Sequence, residues 1–213
     1  MKKREPETPV RRIAVTLSAS RCNSLVMEGL IRFSRSRPNW LLHMEELSVP
    51  NSRMDGLDAM VGTFPDRESV AAHSRLSALM LSVFRKPPDA RIPAILVDHE
   101  AVGRMAARYF IDKGITTLAY IGRSRTGFDP RRDPHLDRYV GFQREAGTHR
   151  VIPAPEYNPW QPDSVRMIKR WLHALPHPVG LFCVGDAVAH WVSDICRMEG
   201  IPVPDHIAIL GVN

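Results

Sequence analysis

The sequence has few cysteines, no long apolar run and no glycine-rich phosphate loop. Its three cysteines, Cys22, Cys183 and Cys196, form neither a CxxC pair nor an even set, so they favour reduced thiols over a disulfide framework. The apolar run behind the charged N-terminus, Ile13 to Leu17, has only the length of a strand. We therefore expect neither a signal peptide nor a membrane span.

The sequence also lacks the patterns that would indicate catalysis. Neither GxGxxG nor GxxxxGK[ST] occurs, so no nucleotide-phosphate loop is predicted. His173 and His177 have a metal-like spacing, but Pro176 breaks the helix that would align them. Cys22 has no identifiable base beside it. We expect no catalytic residue, no metal and no cofactor, and therefore a protein that is not an enzyme.

The charge is basic but dispersed. Lys and Arg number 29 against 23 Asp and Glu, which gives a formal net charge of +6 without a dense basic block. In the arginine-rich segment from Arg123 to Arg132, Asp129 and the adjacent Asp133 compensate the charge. This pattern favours a solvated surface over a nucleic-acid interface.

The clearest structural pattern is the last stretch, Gly180 to Asn213. A short apolar run to Val184 predicts a buried strand, Asp186 stands where a helix N-cap is expected, and a second apolar run begins at Ile207. Strand, helix and strand with short connections predict a right-handed unit with parallel strands. Polar groups at the strand ends then lie where such sheets bind ligands.

Strands and helices alternate along the rest of the chain as well, which predicts an α/β protein with parallel sheets. Between the second and third strands only a turn-rich segment, residues 48–58, is available, so the helix expected there is degraded or missing. In the helix after the fifth strand, the apolar periodicity predicts a buried face made of Val102, Met105, Ala106, Tyr109 and Phe110.

Three segments together resemble a known family. DHEAVGRMAARYFIDKGITTLAYIG, DRYVGF and GDAVAHWVSDICRMEGIPVPDHIAILGVN, all between Pro93 and Asn213, are ordered and spaced as in the LacI-type periplasmic-binding-protein-like effector domain. The resemblance is strongest to regulators like the xylose-operon activator, which carry an AraC-family DNA-binding module after the sensor. It implies a two-lobed type I periplasmic-binding-protein-like fold with parallel sheets and a sugar held in the cleft between the lobes.

The resemblance also implies the domain organisation. After a flexible tail, residues 1–11, it implies an N-terminal lobe over residues 12–114 and a C-terminal lobe over 115–213, with the first crossover near Lys113 to Thr117. The second crossover would lie beyond Asn213, so the fold is expected to be incomplete at its C-terminus. The short stretch before residue 12 cannot hold a helix-turn-helix. We therefore expect DNA to be bound only through a C-terminal module missing here, in a cytoplasmic regulator that is a homodimer at full length and contacts no membrane.

Six residues are expected to bind the ligand, because vicinal hydroxyls pair with carboxylates, amides and guanidinium groups while an aromatic face covers the ring. By resemblance Arg138 is the cleft arginine, Asp186 the acidic residue and Trp160 the stacking aromatic. Their alternatives are a solvated arginine, an N-cap and a packing tryptophan. Gly185 departs from the family pattern, and Asn213 stands where the family has Asp. The predicted set is Arg138, Asp186, Trp160, Asn213, Ser20 and Arg21.

The effector is therefore expected to be a small molecule, most simply a monosaccharide. Two other hypotheses remain at this point. A doubly wound α/β enzyme acting on a phosphorylated or nucleotide substrate would need a catalytic set or a glycine-rich loop. A non-functional gene fragment would fit the abrupt end and the missing second helix.

Overall fold

A computed structural model describes residues 9–17, 21–44, 56–64, 66–75, 79–122 and 134–212. The chain divides into two compact units, Met1–Val97 and Asp98–Asn213, called here the first and the second unit. Two of the predictions above fall mostly outside the described residues. These are the flexible tail, of which residues 1–8 are not described, and the turn-rich segment 48–58, of which residues 48–55 are not described.

The first unit is built on a five-stranded parallel sheet with the order β2-β1-β3-β4-β5. Apolar side chains of α1 cover one face of this sheet, and α2 packs near Met60 and Phe64 on the other. Its elements are β1 (Arg11–Thr16), α1 (Arg21–Ser34), β2 (Trp40–Met44), β3 (Ala59–Gly62), α2 (Arg67–Ser74), β4 (Leu79–Val83) and β5 (Ala94–Ile95).

The second unit is built on a four-stranded parallel sheet with the order β7-β6-β8-β9. The α/β architecture with parallel sheets is thus confirmed in both units. The elements here are α3 (His99–Asp112), β6 (Leu118–Ile121), α4 (Pro134–Ala146), β7 (Val151–Pro153), α5 (Pro162–Ala174), β8 (Val179–Cys183), α6 (Asp186–Met198) and β9 (Ile207–Leu210).

Helices cover both faces of the second sheet. Successive strand residues point to opposite faces, so Leu118 and Tyr120 of β6 join α3 and α4, while Ala119 and Ile121 join α5 and α6. Every residue of β6 and β8 is buried. This explains why both strands read as continuous apolar runs in the sequence rather than as alternating ones.

Helices α3 and α4 cross at very short range, and two glycines make this possible. A Cβ atom added at Gly103 would clash with the backbone carbonyl of Arg138, and one at Gly141 would clash with that of Glu100. Ion pairs between the helices, such as Arg108 with Glu145, flank the crossing. The close approach of the two backbones fixes the start of α3 relative to the segment of α4 from Arg138 to Gly141.

The two units divide between Val97 and Asp98, so α3 belongs to the second unit. The lobe boundary expected after residue 114 stays a prediction. The structure corrects one expectation about α3. Met105 and Tyr109, expected to be buried, are exposed, and Gly103 and Ala107 are buried instead. The reason is the glycine contact with α4, which turns the small residues of α3 inward and its large ones outward.

Candidate functional site

The candidate site lies at the carboxyl edge of the second sheet, where β6, β7, β8 and β9 end side by side. Because the four strands are parallel, the residues that follow each of them meet at this one edge. Gly122 follows β6, the loop from Ala154 to Gln161 follows β7, and Val184 to Asp186 follow β8. Gly211 and Val212 follow β9.

Arg138 reaches this edge from α4 and is buried, with 9% of the residue exposed. Its Nη1 donates to the carbonyl oxygen of Val184 at the end of β8. Its Nε donates to Nδ1 of His99 on α3, at 3.2 Å. A solvated loop arginine, the alternative considered from the sequence, is therefore wrong. The helix begins at Pro134, so Arg138 lies one turn inside it rather than at its start.

Asp186 is the first residue of α6, and the expected N-cap role is wrong. The N-cap is Gly185, which has no side chain to offer. The backbone N–H of Asp186 donates to the carbonyl of Val212 at 3.1 Å, which ties the start of α6 to the end of β9. Its side chain is exposed and lies against Gly211, where an added Cβ would be 2.6 Å from Oδ1. In the described part of the chain this carboxylate has no hydrogen-bond donor, and the positive end of the α6 dipole favours its charge.

Arg138 and Asp186 both lie near the carboxyl end of β8. Arg138 holds the carbonyl of Val184, which stands two residues before Asp186. A guanidinium and a carboxylate thus lie at the end of the same central strand. Side chains of these two types can offer N–H donors and oxygen acceptors to a polar ligand.

Trp160 is 91% exposed, so the packing role considered from the sequence is wrong, and its stacking on a ligand stays a prediction. Its backbone N–H donates to Oδ1 of Asn158 at 3.1 Å in the loop before α5. Three other predicted residues cannot be placed: Ser20, Asn213 and the side chain of Arg21 lie outside the described residues, although Arg21 begins α1.

Sequence reasoning missed two side chains that organise this edge. His99 accepts from Arg138, as described above. Tyr157 donates through its hydroxyl to the carbonyl of Gly122 at 2.7 Å, and its ring stacks on Trp191 of α6 with centroids 5.1 Å apart. Both follow a strand directly or closely, and that position is the signal that could have singled them out.

The cysteines of the second unit are packing residues. Burial raises the pKa of the Cys183 thiol well above its ordinary value, and burial also raises the pKa of Cys196. Both thiols are therefore uncharged at neutral pH and poor nucleophiles. Cys22 in α1 is half-buried.

The histidines considered for metal binding have other contacts. His173 lies 3.2 Å from the Glu199 carboxylate, and the His177 ring stacks on His206. Among the residues described above, no three His, Cys, Asp or Glu side chains gather in a way that could hold a metal ion. Nor does any helix in those ranges combine the length and apolarity that a membrane crossing needs.

Comparison with known proteins gives a match to one family model, described as a periplasmic binding protein-like domain, over residues 107–213. That range covers half of the chain and almost all of the second unit.

Curated relatives extend the likeness over nearly the whole chain. The xylose operon regulatory protein of Escherichia coli K12 is 23% identical over 225 residues, which cover 97% of this chain and 55% of the relative. That of Haemophilus influenzae is 21% identical over 215 residues, with 95% and 55% covered. The HTH-type transcriptional repressor PurR of Vibrio parahaemolyticus is 23% identical over 175 residues, which cover 76% of this chain and 48% of the relative. The chain thus spans 55% of the length of the two xylose regulators.

Solved structures agree on the fold. The xylose-binding transcription activator xylR superposes with a TM-score of 0.79 at 22% identity, covering 97% of this chain and 55% of that one. A periplasmic solute binding protein of Actinobacillus succinogenes with bound D-allose gives 0.68 at 13% identity, covering 96% and 78%. At these identities the likeness establishes the type I periplasmic-binding-protein-like fold and no more.

Proposed function

We propose that this chain, which belongs to the family of periplasmic binding protein-like domains, is the ligand-sensing domain of a bacterial transcription regulator. In this proposal it binds a monosaccharide at the carboxyl edge of its second sheet. The observation that carries the proposal is the buried Arg138 guanidinium, held at the end of β8 two residues before the Asp186 carboxylate.

The chemistry of the two side chains supports a neutral polyhydroxylated ligand. A guanidinium presents planar N–H donors that suit two neighbouring hydroxyl oxygens, and a carboxylate accepts from hydroxyl hydrogens. One positive and one negative group favour a ligand without net charge. Two of the relatives are named for the xylose operon, and one solved neighbour holds D-allose, which supports a pentose or a hexose here.

The proposed action is regulatory and involves no reaction. A ligand shifts the population of two forms only through its different affinity for them. In a full-length cytoplasmic homodimer, the favoured form would position DNA-binding modules. Since this chain spans only part of its relatives, we assign those modules to a C-terminal region outside it, and we expect no sequence-specific DNA binding by this chain.

The test is calorimetry of the chain with a panel containing D-xylose, D-allose and other pentoses and hexoses. One sugar is expected to bind. Removing a charge-assisted hydrogen bond costs about 1.5 to 3 kcal/mol, so Arg138→Ala should weaken that binding by about tenfold or more. Asp186→Asn should also weaken it, because the amide accepts less strongly than the carboxylate.

Two matched substitutions on α6 serve as controls. Arg197 in the last turn and Asp194 in the body of the helix pair with each other on the exposed surface. Arg197→Ala and Asp194→Asn should therefore leave the affinity unchanged. If a sugar binds and Arg138→Ala leaves its affinity unchanged, the proposed site is wrong. If no sugar binds, the proposed ligand class is wrong.

A further inference from the structure

We propose that His99 is a positioning residue of this site: it fixes the plane of the Arg138 guanidinium so that the ligand meets it in one orientation. The inference rests on the proposed function and deepens it, because it names the side chain that prepares the arginine for binding.

The two helices that carry these residues are held together by close backbone contacts. Asp98 caps α3, its Oδ1 accepting from the N–H of Ala101 at 2.8 Å. One turn further, Gly103 touches the backbone of Arg138 itself, and Gly141 touches the backbone of Glu100, the neighbour of His99. The backbone positions of His99 and Arg138 are therefore fixed relative to each other before any side-chain contact forms.

The hydrogen bond between the two side chains has only one possible direction. The Nε–H of an arginine donates and cannot accept, so Nδ1 of His99 must carry the lone pair. The half-buried neutral ring then holds its proton on Nε2. His99 thus acts as an acceptor at a defined point beside the guanidinium.

Two anchors on different elements define the plane of a guanidinium, whereas one leaves it able to rotate. Arg138 has the Val184 carbonyl on β8 for Nη1 and the His99 ring on α3 for Nε. With both in place, the orientation is set before the ligand arrives, and little side-chain freedom is lost on binding. Without His99, the arginine keeps its charge and its Val184 contact but loses the acceptor that holds Nε.

The test compares His99→Leu, which removes the acceptor, with His99→Asn, whose Oδ1 can stand where Nδ1 stands now. Calorimetry with the sugar that binds the wild-type chain should show affinity weakened about tenfold for His99→Leu and nearly retained for His99→Asn. On an Arg138→Ala background, His99→Leu should cause no further loss, since it acts only through the arginine. His190→Leu, at an exposed histidine of α6, is the matched control and should leave the affinity unchanged.

The inference would be overturned if His99→Leu and His99→Asn weakened the sugar affinity equally. It would also be overturned if His99→Leu weakened the affinity about tenfold on the Arg138→Ala background. If no sugar binds the wild-type chain, the proposed function fails, and the positioning role is then decided by NMR of the free protein. The Arg138 Nε–H should exchange slowly with water in the wild type and in His99→Asn, and rapidly in His99→Leu. Slow exchange in His99→Leu would show that His99 does not hold the guanidinium.

Discussion

The two sheets of this chain are both parallel, but helices bury the strands of the second sheet much more completely than those of the first. In the second unit, four helices enclose the sheet, and every residue of β6 and β8 is buried. In the first unit, the strands at one side remain open: Leu79 at the start of β4 is 78% exposed, and Ile95 in β5 is 63% exposed. Among the residues that the structure describes, the buried apolar clusters of the second unit are larger.

This difference shows where the chain can hold a site rigidly. A closed three-layer arrangement buries enough apolar surface to fix its strand ends, where Arg138 of α4 holds the Val184 carbonyl and Asp186 begins α6. The open strands of the first unit offer less of this support. We therefore expect the second unit to unfold last and its amides in β6 and β8 to be the most protected from exchange.

The largest expected effect comes from removing a ring at the centre of the second unit. Phe182 is fully buried in β8, with its ring 5.2 Å from that of Phe142 and 5.6 Å from that of Tyr120. Phe182→Ala should lower the free energy of unfolding by about 3–5 kcal/mol through lost burial and a cavity. Urea unfolding followed by circular dichroism measures this change.

The matched substitution in the first unit is Phe64→Ala, at another fully buried ring, which packs against His73. It should shift only the earlier of two transitions, while Phe182→Ala shifts only the later. Phe33→Ala, at a half-exposed ring of α1, should change either transition little. A single transition that both buried substitutions shift equally would contradict the division into units of unequal stability.

The next prediction concerns glycine-to-alanine substitutions, which should change the free energy of unfolding in opposite directions in the two units. Gly103→Ala in α3 places a methyl group against the Arg138 backbone and should destabilise the second unit by about 1–3 kcal/mol. Gly29→Ala in α1 meets no atom within 4 Å and should stabilise the first unit by about 0.5–1 kcal/mol, because alanine favours a helix. Thermal unfolding of both variants checks the prediction. Stabilisation by Gly103→Ala would show that α3 and α4 are not in close contact.

Much of the second unit could be predicted from the sequence because its strands are buried on both faces. Such strands give short apolar runs, and the helices between them have one apolar face each, so the runs that end at Val184 and begin at Ile207 predict β8 and β9. The βαβ order then placed Asp186 at the carboxyl edge. Periodicity and connection length were sufficient for this much.

Contacts made by glycine backbones could not be predicted in this way. A pattern of large apolar residues indicated that Met105 and Tyr109 face inward, but Gly103 and Gly141 bring α3 and α4 so close that the small residues form the interface. The hydrogen bond between Arg138 and His99 could not be predicted either, because the two residues are far apart in the sequence and only the crossing of α3 and α4 brings them together.

The smallest expected effect distinguishes the units by their response to acid. In the second unit, hydrogen bonds from Lys169 and then His173 hold the pKa of Glu199 below its ordinary value of 4.5. In the first unit, the backbone N–H of Arg12 and then the side chain of Arg11 hold the pKa of Asp58 below 3.8. A carboxylate with a lowered pKa in the folded state stabilises that state above its unfolded pKa and loses this contribution as the pH falls through the folded value.

The second unit should therefore begin to lose its contribution from Glu199 as the pH falls below about 4.5, and the first unit its contribution from Asp58 only below about 3.8. Thermal unfolding midpoints between pH 7 and pH 3 measure both. Glu199→Gln should reduce the acid dependence of the later transition alone, and Asp58→Asn that of the earlier one alone. Both carboxylates are solvent-screened, so each change should be much smaller than that of Phe182→Ala. An acid dependence of the later transition that survives Glu199→Gln unaltered would show that the ties from Lys169 and His173 do not stabilise the second unit.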